Sequence, residues 1–277
     1  MAITAQDVNK LRQMTGMGMM DCKQALTEAD GDFDKAVEIL RKKGEKISLK
    51  RADNETKEGS VFVHTNESAT EGIIFALNCE TEPVSKTAEF VGLGQKIMDI
   101  AVANKPATTD ELLAYSLGEK SIQETITEFI GKIGEKIVVN GYNVVSGEKV
   151  VPYLHNGAKL GVLVIMKGVN GTDVSEIGRD VAMQIAAMRP VAVDKDGVDP
   201  SIVEKEIEIG KEQARNEGKP EAMLEKIAQG KLNRFYKDNT LLNQDFVKDS
   251  SKTVAQMLDS VTKGLTVSDF KRISVGA

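Results

Sequence analysis

Apolar residues in the first 44 positions recur at intervals of three or four, which is the spacing of one face of a helix. Residues 15–18 contain two glycines and interrupt this spacing, and residues 30–32 combine a turn with a carboxylate suited to cap the next helix. The apolar positions of the three segments are Val8 and Leu11, then Met19, Cys22 and Leu26, then Phe33, Val37 and Leu40. The pattern predicts three short helices that share a core.

Two strands, a loop and a helix occur in the same order twice between residues 59 and 190. Asn156-Gly157 between apolar runs is a strong hairpin signal, and a proline ends each helix because its ring cannot continue one. The strands are predicted at 60–65 and 72–78 and again at 150–155 and 160–167, with helices that end at Pro106 and Pro190. The order of the elements predicts a diverged internal duplication.

The two copies differ in length. From Gly72 to Pro106 the chain advances 34 positions, whereas from Gly161 to Pro190 it advances 29. We expect the extra residues of the first copy to lie in the polar segment NCETEPVSKTAEF, which follows the second strand. Extra loop length on a rigid scaffold is a common location for function. This segment is therefore the first candidate for a functional site.

The rest of the chain is predicted to complete an α+β protein. Further elements are a helix at 121–136, a strand at 137–145, an antiparallel helical hairpin at 201–236, a helix at 252–258 and a strand at 270–275. The predicted architecture is a three-helix bundle similar to ubiquitin-associated domains, then a duplicated α+β core with a protruding helical hairpin. The predicted domains are 1–52, 53–146 and 147–277.

Composition and charge exclude several classes of function. The chain has 277 residues, of which 41% are hydrophobic and 28% charged, as in ordinary globular proteins. A net charge of −6 and the lack of tryptophan argue against direct nucleic-acid binding. No run approaches the roughly 20 apolar residues of a membrane span. With only Cys22 and Cys79, no disulfide framework is expected, and a cytoplasmic location is the simplest interpretation.

The sequence contains no recognisable catalytic or metal-binding pattern. Phosphate-binding glycine motifs are missing, and the two histidines, His64 and His155, have no Cys or His at ligand spacing. No catalytic residue, metal site or cofactor is therefore predicted. An enzyme that uses Glu80 or Glu82 as an acid or base stays an alternative.

Two other segments leave alternatives open. Residues 41–52 carry six Lys or Arg against one Glu, which suits either a solvated linker or helix tail, or a contact with an acidic partner. Met14, Met17, Met19 and Met20 are more than one helix face can bury, and they suit either the core or an adaptable docking surface. On these grounds the chain is a non-catalytic interaction protein.

Several segments, in the same order, resemble the bacterial elongation factor Ts family, and the resemblance covers nearly the whole chain. The longest, LRQMTGMGMMDCKQALTEADGDFDKAVEILRKKG at 11–44, is similar almost residue for residue to the N-terminal domain of that family. The others are NCETEPVSK (78–86), HNGAKLGVLV (155–164), VAMQIAAMRP (181–190) and FVKDSSKTVAQML (246–258).

This resemblance implies a guanine nucleotide exchange factor for the GTPase elongation factor Tu, acting without a cofactor of its own. The segment corresponding to Thr81, Glu82, Pro83 and Val84 would displace Mg²⁺ from the GTPase. The resemblance places further partner contacts at Met19, Met20, Lys23, Ile133, Gly134, His155, Val247 and Lys248. The alternative function is a ubiquitin-associated-like scaffold that binds another cytosolic client.

The chain departs from the family where the usual Asp-Phe is Glu82-Pro83. The carboxylate is one methylene longer, and loss of the aromatic wedge removes roughly 1–2 kcal/mol of apolar burial. Because proline fixes its own φ and restrains the residue before it, we expect a stiffer segment with Glu82 in extended backbone. We also expect Val84 to carry a larger share of the exchange.

Overall fold

Helices and strands alternate along the chain, which the computed structural model describes from residue 3 to residue 276. The helices are α1 (Ala5–Thr15), α2 (Met19–Glu28), α3 (Phe33–Lys50), α4 (Glu82–Ser85), α5 (Ala88–Asn104), α6 (Thr109–Ala114), α7 (Ile122–Ile133), α8 (Ser175–Met188), α9 (Pro200–Asn216), α10 (Glu221–Asn239) and α11 (Val254–Val261), with 3-10 turns at Lys195–Gly197 and Leu241–Asn243. The strands are β1 (Glu58–Thr65), β2 (Glu71–Cys79), β3 (Ser116–Leu117), β4 (Lys120–Ser121), β5 (Val138–Ser146), β6 (Lys149–Leu154), β7 (Leu160–Lys167), β8 (Asp245–Phe246), β9 (Asp249–Thr253) and β10 (Thr266–Ser274). The predicted α+β class is confirmed, whereas the domain boundaries after residues 52 and 146 stay predictions.

Helices α1, α2 and α3 form a small bundle, here called the head. α1 begins at a capping box, in which the Thr4 hydroxyl accepts a bond from the Asp7 amide at 3.2 Å and the Thr4 amide donates to the Asp7 carboxylate at 3.0 Å. The buried core of the head consists of Val8, Leu11, Met17, Cys22, Ala25, Leu26, Ala29, Ala36 and Leu40. The three predicted helices are therefore present and share a core.

The third helix of the head continues through the basic segment and packs on the rest of the molecule, here called the body. Because α3 runs to Lys50, residues 41–52 are mostly a helix tail and not a linker. α3 crosses α7 at two glycines, where a Cβ added at Gly131 would lie 2.8 Å from the Gly44 Cα. This approach of two backbones holds the head against the body. The proposed contact of the segment with an acidic partner stays a prediction.

The body contains two three-stranded antiparallel sheets, β1-β2-β5 and β6-β7-β10. The turn of each hairpin contacts the first strand of the other sheet. The Val61 amide donates to the Ala158 carbonyl, and the Val150 amide donates to the Ala69 carbonyl, each at 2.6 Å. Both alanines have left-handed backbone, with φ of 53° at Ala69 and 54° at Ala158. The same contact is thus made in both copies, as the predicted duplication requires.

The repeated unit is longer than the sequence prediction recognised. Each sheet takes its third strand, β5 or β10, from a later part of the chain. Each third strand follows a two-stranded ribbon, β3-β4 or β8-β9, and a helix that begins with a capping box, α7 or α11. Only the second copy carries the helical hairpin, inserted between α8 and its ribbon. Pairing between strands so far apart has no local sequence signal.

The extra residues of the first copy do not lie where the sequence prediction placed them. Residues 80–87 join β2 to α5, and residues 168–174 join β7 to α8, so these connections differ by a single residue. Most of the extra length is helical, because α5 has 17 residues and α8 has 14. The prediction is wrong because Thr87 caps α5 before the first apolar residue of its buried face, accepting a bond from the Phe90 amide at 3.2 Å.

Helices α9 and α10 form the predicted antiparallel hairpin and extend slightly beyond 201–236. Small residues bring the helices together, since a Cβ added at Gly210 would lie 3.1 Å from the Ala228 Cα. Ion pairs across the hairpin join Lys211 to Glu225 at 2.8 Å and Arg215 to Glu221 at 2.9 Å. Within residues 3–276, no helix combines the length and apolar character that crossing a bilayer requires.

Gly94 in α5 is expected to tolerate no side chain. A Cβ there would lie 2.0 Å from the ring of Phe62, which stacks on Phe75 with centroids 5.2 Å apart. Gly94→Ala should therefore lower the free energy of unfolding by about 1–3 kcal/mol through overpacking. Gly92→Ala is the control in the same helix, with nothing near the added Cβ, and should stabilise by up to about 1 kcal/mol. Equal urea unfolding midpoints for the two variants would contradict this packing of α5 on β1.

Candidate functional site

The segment that joins β2 to α5, residues 80–87, is here called the connection. Thr81 is extended, with φ −127° and ψ 149°, and the single helical turn α4 begins at Glu82. Two later amides close this turn by bonds to the Thr81 and Glu82 carbonyls at 3.4 and 3.3 Å. The prediction that Pro83 keeps Glu82 extended is wrong. Pro83 instead lies in the first turn of a helix, where its fixed φ fits and its missing N–H is not needed.

Three successive exposed residues of the connection, Thr81, Glu82 and Pro83, are here called the tip. Val84 packs partly against the core between the first sheet and α5, so it offers a partner less surface than the sequence suggested. Ser85 is buried, and its hydroxyl donates to the Glu82 carbonyl at 2.7 Å. The connection therefore consists of a projecting tip on an anchored base.

Glu80 holds the base of the connection. Its carboxylate accepts bonds from Arg51 Nη1 at 2.8 and 3.0 Å, from Asn54 Nδ2 at 2.9 Å and from the Lys136 amide at 2.6 Å. Burial favours the neutral carboxyl, but these bonds outweigh it and lower the pKa of Glu80 below its ordinary value. Glu80 is thus a fixed anion, which argues against the alternative in which it acts as a catalytic acid or base.

The end of α7 contacts the tip. The helix ends at Ile133, and Gly134 follows in left-handed backbone with φ 80°. The next residue, Glu135, accepts bonds from the Thr81 amide at 3.0 Å and from the Thr81 hydroxyl at 2.6 Å. The fold thus brings together two predicted contact sites, the tip and Ile133-Gly134, that are distant in the sequence.

The methionines of the head divide between its core and its surface. Met17 is buried, with 5% of its surface exposed, whereas Met14, Met19 and Met20 are 60%, 50% and 72% exposed. Of the two alternatives left open for these residues, Met17 belongs to the core of the head and Met19, where α2 begins, belongs to the surface. Met19, Met20 and the exposed Lys23 lie on the first turns of α2, where a partner can reach them.

The remaining predicted residues, His155, Val247 and Lys248, share a groove of about 460 Å³ between β6, α8 and the β8-β9 turn. The Lys248 ammonium pairs with Asp180 at 2.6 Å. The Val247 amide donates to Gln184 at 2.8 Å, which leaves the Val247 side chain exposed. Residues from distant parts of the second copy thus form one surface, here called the second groove.

The sequence prediction missed the side chains that position these residues. Tyr153 lies 2.7 Å from His155 through its hydroxyl and Nδ1, and Asp180 holds Lys248. Arg51 belongs to the basic segment, whose charge pattern does not indicate which carboxylate it pairs with. These side chains meet their partners only in the tertiary fold, so a single sequence carries no signal for the pairs.

The low pKa of Glu80 is expected to make stability depend on pH. A carboxyl whose pKa is lower in the folded state binds fewer protons there, so it stabilises the fold above its unfolded pKa, near the ordinary value of 4.5. That contribution is lost as the pH falls through the lower folded pKa. The free energies of unfolding of the wild type and of Glu80→Gln should therefore differ at neutral pH and approach each other in acid. Urea unfolding from about pH 7 to pH 3 tests this, and a difference that grows toward acid would contradict it.

Comparison with known proteins returns the same family description from a sequence model and from individual relatives. A sequence model described as Elongation factor TS matches residues 80–277. The protein named Elongation factor Ts of Cytophaga hutchinsonii is 62% identical over 274 residues, covering 99% of each chain. Proteins of the same name are 56% identical over 277 residues in Amoebophilus asiaticus, covering 100% of each chain, and 46% identical over 275 residues in Christiangramia forsetii, covering 99% of each.

Proposed function

This chain belongs to the elongation factor Ts family, and from that premise we propose that it is a guanine nucleotide exchange factor for elongation factor Tu. It binds the GDP complex of that GTPase, disturbs the Mg²⁺ and phosphate site, and releases GDP during translation elongation in the cytoplasm. Such an exchange makes and breaks no covalent bond. The protein therefore acts by binding and not as an enzyme in the usual sense.

The observation that carries the proposal is the projecting tip on its anchored base. Glu82 and Pro83 are exposed, while Glu80 on one side is bonded to the body and Ser85 on the other side is buried. A carboxylate inserted beside bound GDP would repel the diphosphate and compete for its Mg²⁺, which prefers oxygen ligands. Pro83 in a preformed helical turn would enter without losing backbone entropy, because its conformation is set before binding.

Exchange also requires binding that differs between two states of the GTPase. A factor that binds the nucleotide-free form better than the GDP form weakens GDP binding by the same ratio. A ratio of about 1000 corresponds to roughly 4 kcal/mol of differential contact. One charged contact and one small apolar side chain together supply about 2–4 kcal/mol. The tip therefore accounts for much of this differential contact, and the docking surfaces hold the factor in place.

Two docking surfaces would hold the factor on the GTPase. The exposed Met19, Met20 and Lys23 provide adaptable apolar area beside one positive charge. The second groove presents His155 and Val247 on the second copy of the duplicated unit, whereas the tip belongs to the first copy. Contacts at both surfaces would orient the tip toward the nucleotide, which is the geometric requirement for an exchange factor.

Equilibrium binding tests the proposal. We expect the protein to bind nucleotide-free elongation factor Tu at least about 100-fold more tightly than the GDP complex, as linkage requires of an exchange factor. Calorimetric titration with the two forms of purified Tu measures this ratio. Equal affinity for both forms would contradict an exchange role and favour a scaffold, and no binding to either form would exclude elongation factor Tu as the partner.

A further inference from the structure

Three segments of the chain meet at the base of the connection. The turn after α3 supplies Arg51 and Asn54, the connection supplies Glu80, and the segment between α7 and β5 supplies Lys136. We propose that Glu80 is a positioning residue, which acts through Arg51 and Lys136 to fix the angle of the tip relative to the head. This inference rests on the proposed exchange function and assigns Glu80 a part in it.

The contacts of Glu80 are specific to a carboxylate. Both oxygens accept bonds, and all of the donors are N–H groups of Arg51, Asn54 and Lys136. Only 15% of the Glu80 side chain is exposed. A glutamine of the same size would turn its own NH₂ group toward one of these donors, because an amide has only one accepting oxygen. Glu80→Gln therefore preserves the volume of the side chain and removes the bonds that one of the two carboxylate oxygens accepts.

The path from the head to the tip is short and made of rigid elements. α3 belongs to the core of the head, crosses α7 at Gly44 and ends with Arg51 as its C-cap. The end of α3 is tied to the body a second time, because Lys136 Nζ donates to the Asn54 carbonyl at 3.0 Å. Glu80 directly precedes Thr81, the first residue of the tip. A rotation of the head on α7 would therefore move Arg51, and with it the base of the tip.

A tip held at the wrong angle should still allow docking, because Met20 and the second groove lie on elements other than the connection. The rate of GDP release at saturating factor depends on the angle of the tip, whereas the half-saturating concentration depends on docking. Loss of a positioning residue should therefore lower the saturating rate and leave the half-saturating concentration nearly unchanged. A purely structural defect would lower the active fraction or weaken docking instead.

The experiment is stopped-flow release of fluorescently labelled GDP from elongation factor Tu over a range of factor concentrations. For Glu80→Gln we expect the saturating rate to fall about tenfold, the effect of losing one charge-assisted hydrogen bond, with a half-saturating concentration within about twofold of wild type. Glu71→Gln is the matched control, because Glu71 lies at the other end of β2 in an ion pair with Lys105. Its saturating rate should equal that of the wild type.

A second variant separates positioning from stability. In Arg51→Gln/Glu80→Gln neither partner is left charged and unpaired, so the thermal midpoint should recover relative to either single variant. The exchange defect should persist at the level of Glu80→Gln, because both residues act through one contact. The inference would be overturned if Glu80→Gln had the same saturating rate as the wild type, or if the exchange defect disappeared when stability recovered. The proposed function would still stand in either case, as long as the wild-type protein accelerates GDP release. A wild-type protein that releases no GDP would overturn both.

Discussion

Replacing Glu82 and Pro83 together by alanine is expected to slow the saturating rate of GDP release from elongation factor Tu by about 100-fold. The double variant removes the exposed carboxylate and ring of the tip, which together supply about 2–4 kcal/mol of contact with the nucleotide site. Alanine favours helix, so α4 and the bonds of Glu80 and Ser85 should persist. The thermal midpoint should therefore stay close to that of the wild type, and stopped-flow release of labelled GDP measures the rate.

The control for this variant is Lys86→Ala, an exposed residue at the C-cap of the same turn. It should leave the rate within about twofold, because it lies outside the tip. Pro83→Gly separates stiffness from bulk, since glycine frees the backbone as well as removing the ring. We expect it to be slower than Pro83→Ala, and a glycine variant as fast as the wild type would contradict the role of a stiff tip. A double alanine variant at the wild-type rate would remove the tip from the mechanism.

The second large effect is expected at Met20, the most exposed methionine of the head. Met20→Asp places a charge where an apolar contact is proposed, which should raise the half-saturating concentration by about 10- to 100-fold, since burying a methionine is worth about 1.5–3 kcal/mol. The saturating rate should change little, because the tip is intact. Concentration-dependent release of labelled GDP separates the two quantities.

Met14→Asp is the matched control, because Met14 is also exposed on the head but lies at the end of α1, outside the predicted contact. Its half-saturating concentration should stay within about threefold of wild type. Similar effects at Met14 and Met20 would show that charge on the head weakens binding in general. That result would contradict a docking surface centred on Met20.

The local elements could be predicted from the sequence because their signals are local. Helix periodicity identified the head, and Asn156-Gly157 marked the second hairpin. The third strands of the two sheets were predicted as strands, but their place in the sheets was not, because β5 and β10 pair with strands far away in the chain. The cap at Thr87 also moved the start of α5, so residues assigned to a loop are helical. Helix ends depend on single capping bonds, which the apolar pattern does not show.

The sequence predicted which residues belong to the candidate site, but not their conformation or their contacts. Resemblance to a family indicated the tip and the docking residues, but not that Glu82 begins a helical turn or that Val84 packs inward. The Arg51–Glu80 pair was not predictable, because nothing in a single sequence connects a basic helix tail with a carboxylate after a strand. Such contacts are selected by the fold as a whole, through burial and hydrogen-bond geometry.

The most direct test of the central claim is the rate at which labelled GDP leaves elongation factor Tu with and without this protein. The proposed function predicts a saturable acceleration of about 100-fold or more in the presence of Mg²⁺, and a much smaller one when the metal is first removed with a chelator, because the tip then has no ion to displace. An unchanged release rate at saturating protein would contradict the assignment of an exchange function to this chain.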